Sequence, residues 1–301
     1  MEQHVFTLPD GTLVGAGTAD VEGRGTFAVI GGSGFYEFLD DPTEVNVETP
    51  YGDPVAPVAV GDVGGRAVAF LPRHGKGHEF PPHRINYRAN MWALKSLGVE
   101  RVLAPCAVGG LQPETQPGTL VVPDQLVDRT SGRVQTYVDR GAAHAPFADP
   151  YCPDLRAALL QAAGPEAIDE GTMVVIEGPR FSTRAESQSY ARAGWTVVNM
   201  TGHPEAVLAR ELGLCYATIA LVTDLDAGVS PEESVDQAQV FALFDKHIGR
   251  LKEMLATVVA GLPDLSAGRA DLSVGRAESR PCGCADWLAD VTLPFELPGP
   301  Q

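Results

Sequence analysis

The feature that most constrains this chain is an alternation of short apolar runs with segments of helical periodicity across residues 26–262. Residues 27–30, 120–122 and 217–223 are rich in apolar and β-branched side chains, which is typical of buried strands. Apolar residues three or four positions apart predict helices over 87–97, 155–163, 183–194, 204–212 and 235–262. Strands that alternate with helices predict an α/β fold, with a largely parallel sheet covered by helices on both faces.

The domain organisation follows from composition. No linker-like shift interrupts residues 26–262, so we expect one α/β domain there. Residues 1–25 form an acidic N-terminal extension without a signal-peptide pattern, and residues 263–301 form a Pro-, Gly- and Asp-rich tail that we expect to pack loosely. No run approaches the roughly 20 apolar residues that span a bilayer. We therefore expect a cytoplasmic protein with no membrane partner.

The formal net charge of -17 limits the partners of the chain. A nucleic acid needs a basic footprint, and anionic lipid attracts cationic rather than acidic surfaces, so both are disfavoured. A small anionic substrate remains compatible with this charge, because a few local Arg and His side chains can create a positive pocket.

The five cysteines predict reduced thiols, because their number is odd and the first three are widely spaced. Cys282 and Cys284 form a C-x-C pair in the tail. One such pair supplies only two of the four ligands that a structural zinc site needs. From the residues alone, we expect a local disulfide or two free surface thiols, and no metal.

Two motifs at predicted strand ends fit a phosphate. Ser33 lies in the turn Gly-Gly-Ser-Gly after residues 27–30, where backbone N–H groups and a hydroxyl can bind an anion. Arg73 and His74 follow a second strand, and an arginine fork suits a phosphate dianion. Each motif also has a simpler reading, namely a turn that needs glycine or a surface Arg beside a buried His.

Three further strand ends carry groups that fit a nucleoside. Phe181 and Ser182 follow one strand, and Phe181 either stacks on a base or fills the core. Asn199 and Thr201 follow another strand, where they fit sugar, phosphate or a helix cap. Asp224 and Asp226 follow a buried apolar strand, which is a costly position for two carboxylates unless they cap a helix or bind a group with several donors.

These motifs together predict the chemistry of one purine nucleoside and phosphate. Ligands of open α/β sheets bind at the carboxyl ends of the strands, where all these residues are placed. A carboxyl group near purine N7 stabilises or protonates the departing base.

Read in order, the motifs resemble the methylthioadenosine phosphorylase branch of the trimeric purine nucleoside phosphorylases. The segments that carry the resemblance are VIGGSGF from residue 29, RHG from 73, NYRANMWAL from 86, VDRT from 127, IEGPRFSTRAES from 176 and NMTGHPE from 199. The resemblance covers about residues 27–262. It implies a single-domain nucleoside phosphorylase fold, with a mixed and partly barrel-like sheet flanked by helices. It also implies a homotrimer, or a dimer of trimers, with active sites near subunit interfaces.

The resemblance also implies roles for individual residues. The implied phosphate ligands are Ser33, Arg73, His74 and Thr201. The pair Cys106-Ala107 stands where relatives often have Thr-Ala, so the pocket lacks one hydroxyl that relatives offer to phosphate. The implied nucleoside ligands are Phe181, Ser182, Asn199, Met200, Asp224 and Asp226, together with His144, which would reach the 5' end from a neighbouring subunit. The C-x-C pair resembles one that is a disulfide in some heat-stable archaeal relatives.

The implied reaction is phosphorolysis of 5'-deoxy-5'-methylthioadenosine, with inorganic phosphate as co-substrate and no organic cofactor or metal. Asp224 and Asp226 favour a 6-amino purine, because a carboxylate accepts from the exocyclic amine and a 6-oxopurine prefers a donor. Three alternatives remain: a 6-oxopurine nucleoside phosphorylase, a nucleosidase that uses water, and a non-catalytic nucleotide-binding module.

Overall fold

A mixed sheet of eleven strands organises the chain. The computed structural model describes residues 5–7, 13–15, 26–32, 35, 38–229, 237–263 and 282–299. Its strands are β1 (Val5–Thr7), β2 (Leu13–Gly15), β3 (Thr26–Gly31), β4 (Asp40–Val45), β5 (Val58–Asp62), β6 (Ala67–Pro72), β7 (Val99–Gly110), β8 (Leu120–Val122), β9 (Gln125–Arg129), β10 (Ile168–Asp169), β11 (Thr172–Ile176), β12 (Val197–Asn199) and β13 (Cys215–Leu225). Its α-helices are α1 (Tyr87–Ser96), α2 (Pro153–Ala163), α3 (Arg184–Arg192), α4 (Gly202–Glu211) and α5 (Gln237–Gly261), and Pro82–Arg84 and Gly283–Ala289 are 3₁₀ turns.

The sheet branches at β7. Along its main path the strand order is β10-β8-β13-β7-β3-β6-β5-β4, and β12, β11 and β9 extend from β7 as a second arm. The central pairs β13–β7, β7–β3 and β3–β6 are parallel, whereas β5 and β4 add antiparallel hairpins at one edge. The twelve residues of β7 allow the branch, because β3 pairs with the start of the strand and β12 with its last two residues.

Helices cover both faces of the sheet. On one face, α2 and α5 bury apolar side chains such as Leu155, Leu159 and Leu255 against β3, β7 and β13. On the other face, α1 and α4 bury residues such as Met91 and Leu208. Three of the helices start where the sequence provides a start signal: Asn86 caps α1, Pro153 begins α2, and Thr183 with Glu186 forms a capping box on α3.

The predicted α/β class and the helices of residues 26–262 are confirmed. The sheet is more mixed than the predicted largely parallel one, because four of its strand pairings are antiparallel. β9 was not predicted, since its sequence Gln-Leu-Val-Asp-Arg is half-exposed and has no long apolar run. In the described part of the chain, none of the helices is long and apolar enough to cross a membrane.

The prediction of a loosely packed C-terminal tail is wrong for residues 282–299. Trp287 is buried and its indole N–H donates to the Arg210 carbonyl oxygen at 3.1 Å. Phe295 packs against Trp92 and Tyr137, with ring centroids 6.0 and 5.8 Å away. Trp287 and Phe295 therefore pack onto the domain, although the composition of this segment is rich in Pro and Gly.

The Cys282 and Cys284 thiols are free, as one of the two alternatives predicted, but they do not lie on the open surface. All five thiols are free, and Cys282 and Cys284 lie beside Cys152 and Cys215 rather than on the open surface. The four residues come from three distant segments of the chain, so their meeting depends on the fold and not on local spacing.

Of the N-terminal extension, the structure describes β1 and β2, which form a separate antiparallel pair.

Candidate active site

A cavity of about 760 Å³ opens where the central strands end. Eleven of the predicted site residues line it: Arg73, His74, Cys106, Ala107, Phe181, Ser182, Asn199, Met200, Thr201, Asp224 and Asp226. Two predicted residues are not among them. Ser33 lies outside the described residues, and His144 is exposed on the loop between β9 and α2. The contribution of His144 to a neighbouring subunit stays a prediction.

Arg73 is buried in the cavity wall and held by a carboxylate that the sequence did not identify. Its Nε donates to Glu205 Oε1 at 2.6 Å and its Nη2 to Glu205 Oε2 at 3.1 Å. It also donates to the carbonyl oxygens of Pro105 and Ile30. Burial lowers the pKa of Arg73, but the Glu205 carboxylate more than offsets this and raises it above the ordinary value. These four hydrogen bonds leave one of the five guanidinium N–H groups for an anion, so Arg73 contributes a single donor rather than the predicted fork.

His74 presents a neutral ring to the cavity. Its Nδ1 lies 2.8 Å from the Phe80 carbonyl oxygen, which assigns the proton to Nδ1 and leaves Nε2 as an acceptor. The pKa of His74 is lowered to about 4, chiefly by burial; the hydrogen bond to the Phe80 carbonyl oxygen opposes the shift, and His78 and Arg73 add to it. The His78 ring stacks on it at 4.2 Å between centroids. A neutral acceptor here can bind the O–H of hydrogen phosphate.

Asn199 holds the loop before α4 through its side-chain amide, and its predicted contact with a nucleoside stays a prediction. Its Oδ1 accepts from the backbone N–H groups of Thr201 and Gly202, both at 2.7 Å, and its Nδ2 donates to the Ala107 carbonyl oxygen at 3.2 Å. The capping alternative from the sequence is therefore the observed one. Asn199 fixes Thr201 and Ala107, two predicted phosphate ligands, against each other.

Asp224 reaches the cavity through a β-bulge. The register of β13 on β7 shifts between Val222 and Asp224, so that Thr223 is the extra residue and Asp224 faces Gly109. A bulge re-aims the side chain that follows it. Gly109 allows β7, β12 and the end of β13 to approach closely, because a Cβ there would lie 2.9 Å from Val198 Cγ1 and 3.2 Å from Asp226 Cβ. Burial raises the pKa of Asp224 to about 6, the Thr223 hydroxyl opposes this by hydrogen bonding, and Asp226 reinforces it.

Asp226 is fixed more tightly than Asp224. It is 3% exposed, its Oδ2 accepts from the Ser187 hydroxyl at 2.5 Å, and its backbone N–H donates to Gly110. Burial raises the pKa of Asp226, and the hydrogen bond from Ser187 opposes the shift. The two carboxyl groups thus differ: Asp226 has a fixed orientation, and Asp224 titrates near neutral pH.

Arg133 organises the site and was missed by sequence reasoning. Its guanidinium donates to four backbone carbonyl oxygens, those of Met200, His203, Ile176 and Glu177, at 2.6 to 3.3 Å. These carbonyls lie at the end of β11, in the loops after β11 and β12, and in the first turn of α4, so Arg133 joins the segments that carry Phe181 and Met200. No local motif marks such a residue, because its partners are main-chain groups more than 40 positions away.

Helix α5 forms an apolar wall that the sequence did not assign to the site. Gln237, Val240, Phe241, Phe244 and Asp245 line the cavity from one helical face. The sequence analysis assigned this segment only to a helix over residues 235–262. Phe241 is 40% exposed, which places an aromatic ring at the cavity mouth.

Comparison with known proteins places these features in a family. The model of the phosphorylase superfamily matches residues 26–261. An S-methyl-5'-thioadenosine phosphorylase of Mycobacterium tuberculosis is 57% identical over 271 residues, which are 90% of this chain and 97% of that protein. A purine nucleoside phosphorylase of Streptomyces coelicolor is 57% identical over 252 residues, covering 80% and 90%.

Solved structures agree with the sequence relatives. A methylthioadenosine phosphorylase from Schistosoma mansoni in complex with adenine is 41% identical, has a TM-score of 0.75, and aligns over 79% of this chain and 91% of its own. The chain therefore belongs to the phosphorylase superfamily, in its methylthioadenosine phosphorylase branch.

Proposed function

We propose that the chain catalyses phosphorolysis of 5'-deoxy-5'-methylthioadenosine, giving adenine and 5-methylthioribose 1-phosphate. The observation that carries the proposal is one cavity with Arg73 and His74 at one strand end and Asp224 and Asp226 at another. β6 and β13 are three positions apart in the sheet, or about 14 Å at the usual strand spacing. A nucleoside with phosphate beside its anomeric carbon fits between two such groups.

At the phosphate end, Arg73, His74 and Thr201 bind the nucleophile, and Cys106 and Ala107 line the pocket beside them. Arg73 offers one N–H, and neutral His74 accepts the O–H of hydrogen phosphate. The Cys106 thiol lies 3.4 Å from the Thr218 hydroxyl in the cavity wall. A phosphate oxygen attacks C1' as the bond to N9 breaks, and the dianion stabilises the positive charge that develops on the ribose.

At the base end, Asp224 protonates purine N7. Its pKa of about 6 leaves part of the population protonated near neutral pH, as a general acid requires. The electron pair of the broken bond stays on the purine, and the acid regains its proton through solvent from the consumed hydrogen phosphate. Asp226, oriented by Ser187, accepts from the 6-amino group, while Phe181 and Ser182 contact the base and Met200 packs on the ribose.

The 5' end of the substrate is uncharged and apolar, and the α5 wall matches it. Val240, Phe241 and Phe244 supply apolar surface at the cavity. In the homotrimer that we propose, His144 of a neighbouring subunit covers this end. Its exposure on the loop between β9 and α2 leaves it accessible to such a contact.

A 6-oxopurine nucleoside is the second candidate substrate. One observation favours it: a protonated Asp224 is a hydrogen-bond donor and so suits a purine O6. The Streptomyces coelicolor relative, equal in identity to the Mycobacterium tuberculosis one, is named a purine nucleoside phosphorylase.

Base release from methylthioadenosine, adenosine and inosine, each with and without phosphate, tests the proposal by chromatography. We expect phosphate-dependent adenine release, fastest from methylthioadenosine because only its 5' group is apolar. Faster hypoxanthine release from inosine would replace the proposed substrate with the second candidate. Base release that does not depend on phosphate would make the protein a nucleosidase.

A further inference from the structure

Four cysteine thiols meet at a place remote from the candidate active site. Cys152 is the residue before helix α2, Cys215 begins strand β13, and Cys282 and Cys284 lie at the C-terminal 3₁₀ turn. All four Sγ atoms are within 4.8 Å of one another, and Cys215 Sγ is 3.1 Å from Cys282 Sγ. Cys152, Cys215 and Cys284 are buried, and Cys282 is half-buried.

This arrangement has the geometry of a tetrathiolate metal site. Zinc binds four thiolates tetrahedrally at about 2.3 Å, which puts neighbouring sulfur atoms about 3.8 Å apart. All six pairs of sulfur atoms lie within 4.8 Å, about 1 Å above that edge, and the Cys215–Cys282 pair is shorter than it at 3.1 Å, so small side-chain rotations would give tetrahedral spacing. We propose that Cys152, Cys215, Cys282 and Cys284 bind one Zn²⁺ ion as a structural site.

The competing arrangement is two disulfides, and the geometry favours the ion. Disulfides need only pairwise approach, whereas here every Sγ is close to the other three. Zinc binds cysteines as thiolates, so occupation of the site would release the protons of the four thiols.

The proposed ion is structural rather than catalytic because of its position. Cys215 and Asp224 lie at opposite ends of β13, nine residues apart, or about 30 Å at the usual rise per residue. The ion instead joins the C-terminal segment to the domain. Beside the cluster, the Cys282 backbone N–H donates to the Asp154 carboxylate at 3.1 Å. The 3₁₀ turn also packs tightly on the turn before β13, because a Cβ at Gly213 would lie 2.5 Å from Leu288 Cδ1.

Metal analysis of the full-length protein, produced with zinc in the medium and desalted, tests the site. We expect about one zinc per chain, the stoichiometry of a four-cysteine site. C284S and C152S should lose most of that zinc. C106S is the matched control, because Cys106 is a buried thiol outside the cluster, and it should retain the zinc.

Two measurements on the unsubstituted chain keep the test independent of whether the variants fold. Replacement of the metal by Co²⁺ should give the visible absorption of a tetrahedral thiolate complex. A strong chelator should lower Tm by about 5–10 °C, and added Zn²⁺, but not Mg²⁺, should restore it.

Either of two results would overturn the proposal. One is a zinc content below about a tenth of an ion per chain, even after Zn²⁺ has been added to the reduced protein. The other is peptide mapping under non-reducing conditions that finds Cys152, Cys215, Cys282 and Cys284 joined in disulfides in the freshly isolated protein.

Discussion

The Arg73 guanidinium and the Glu205 carboxylate form a buried two-point ion pair, with Nε–Oε1 and Nη2–Oε2 distances of 2.6 and 3.1 Å. The Tyr216 hydroxyl donates to the same carboxylate at 3.0 Å. Arg73 lines the cavity from β6, and Glu205 reaches it from α4, so the pair joins the two elements that carry the proposed phosphate ligands. Glu205 thereby keeps a buried cation in place before phosphate arrives.

Substitution of Glu205 should make stability depend more strongly on phosphate. E205Q leaves the Arg73 charge buried without its partner, which should cost about 3–5 kcal/mol of unfolding free energy. Bound phosphate then becomes the remaining counter-charge. Thermal unfolding with and without phosphate should show a larger phosphate-induced rise in Tm for E205Q than for the unsubstituted chain. Equal rises would mean that Arg73 does not face the phosphate.

Substitution of Asp224 should separate the two candidate bases. D224N removes the acid that protonates N7, so turnover of methylthioadenosine should fall by about 10²–10⁴-fold, the range of general acid catalysis. Inosine turnover should fall less or rise, because an amide beside N7 can also donate to O6, which lies on the same edge of the purine. Steady-state rates with both nucleosides measure this, and unchanged rates for both would remove Asp224 from the base site.

The same substitution should stabilise the protein at alkaline pH. Burial raises the Asp224 pKa from 3.8 to about 6, so the folded protein holds the proton of this carboxyl group more tightly than the unfolded chain does. The resulting contribution to stability is complete below pH 3.8 and is lost as pH rises through 6. A shift of this size corresponds to roughly 3 kcal/mol at most. The Tm of D224N should therefore exceed that of the unsubstituted chain at pH 8, and the difference should shrink towards pH 4. A pH-independent difference would contradict the assigned pKa.

Removal of the His74 ring should weaken phosphate binding selectively. H74A loses one hydrogen bond to a charged ligand, so the phosphate KM should rise about 10–100-fold, whereas the nucleoside KM should change little. H83A is the matched control, since His83 is exposed nearby and does not line the cavity. If both KM values rose together for H74A, His74 would support the whole site rather than bind phosphate.

The sequence predicted the strand-end positions of the site because each lies in a short local pattern. Phe181, Thr201 and Asp224 follow apolar runs directly, and parallel strands bring such ends to one edge of a sheet. The bulge at Thr223 was not predictable, because it depends on the register between β13 and β7. That register sets the direction in which the Asp224 side chain points into the cavity.

The remaining site residues were missed because their partners are distant in the sequence. Glu205 is 132 positions from Arg73, and Arg133 is 67 positions from Met200. Cys282 is 67 positions from Cys215, so the C-x-C pair was interpreted without its two neighbours. In each case the sequence shows a residue that can bind or donate, but its role depends on a partner that only the fold brings into contact with it.

The most direct test of the account is a phosphorus NMR experiment on the protein with methylthioadenosine and inorganic phosphate. The account predicts that inorganic phosphate is consumed and a sugar 1-phosphate appears in equal amount with free adenine. Adenine release without any new phosphate ester would contradict it, because the cavity of Arg73, His74 and Thr201 would then not deliver phosphate to the anomeric carbon.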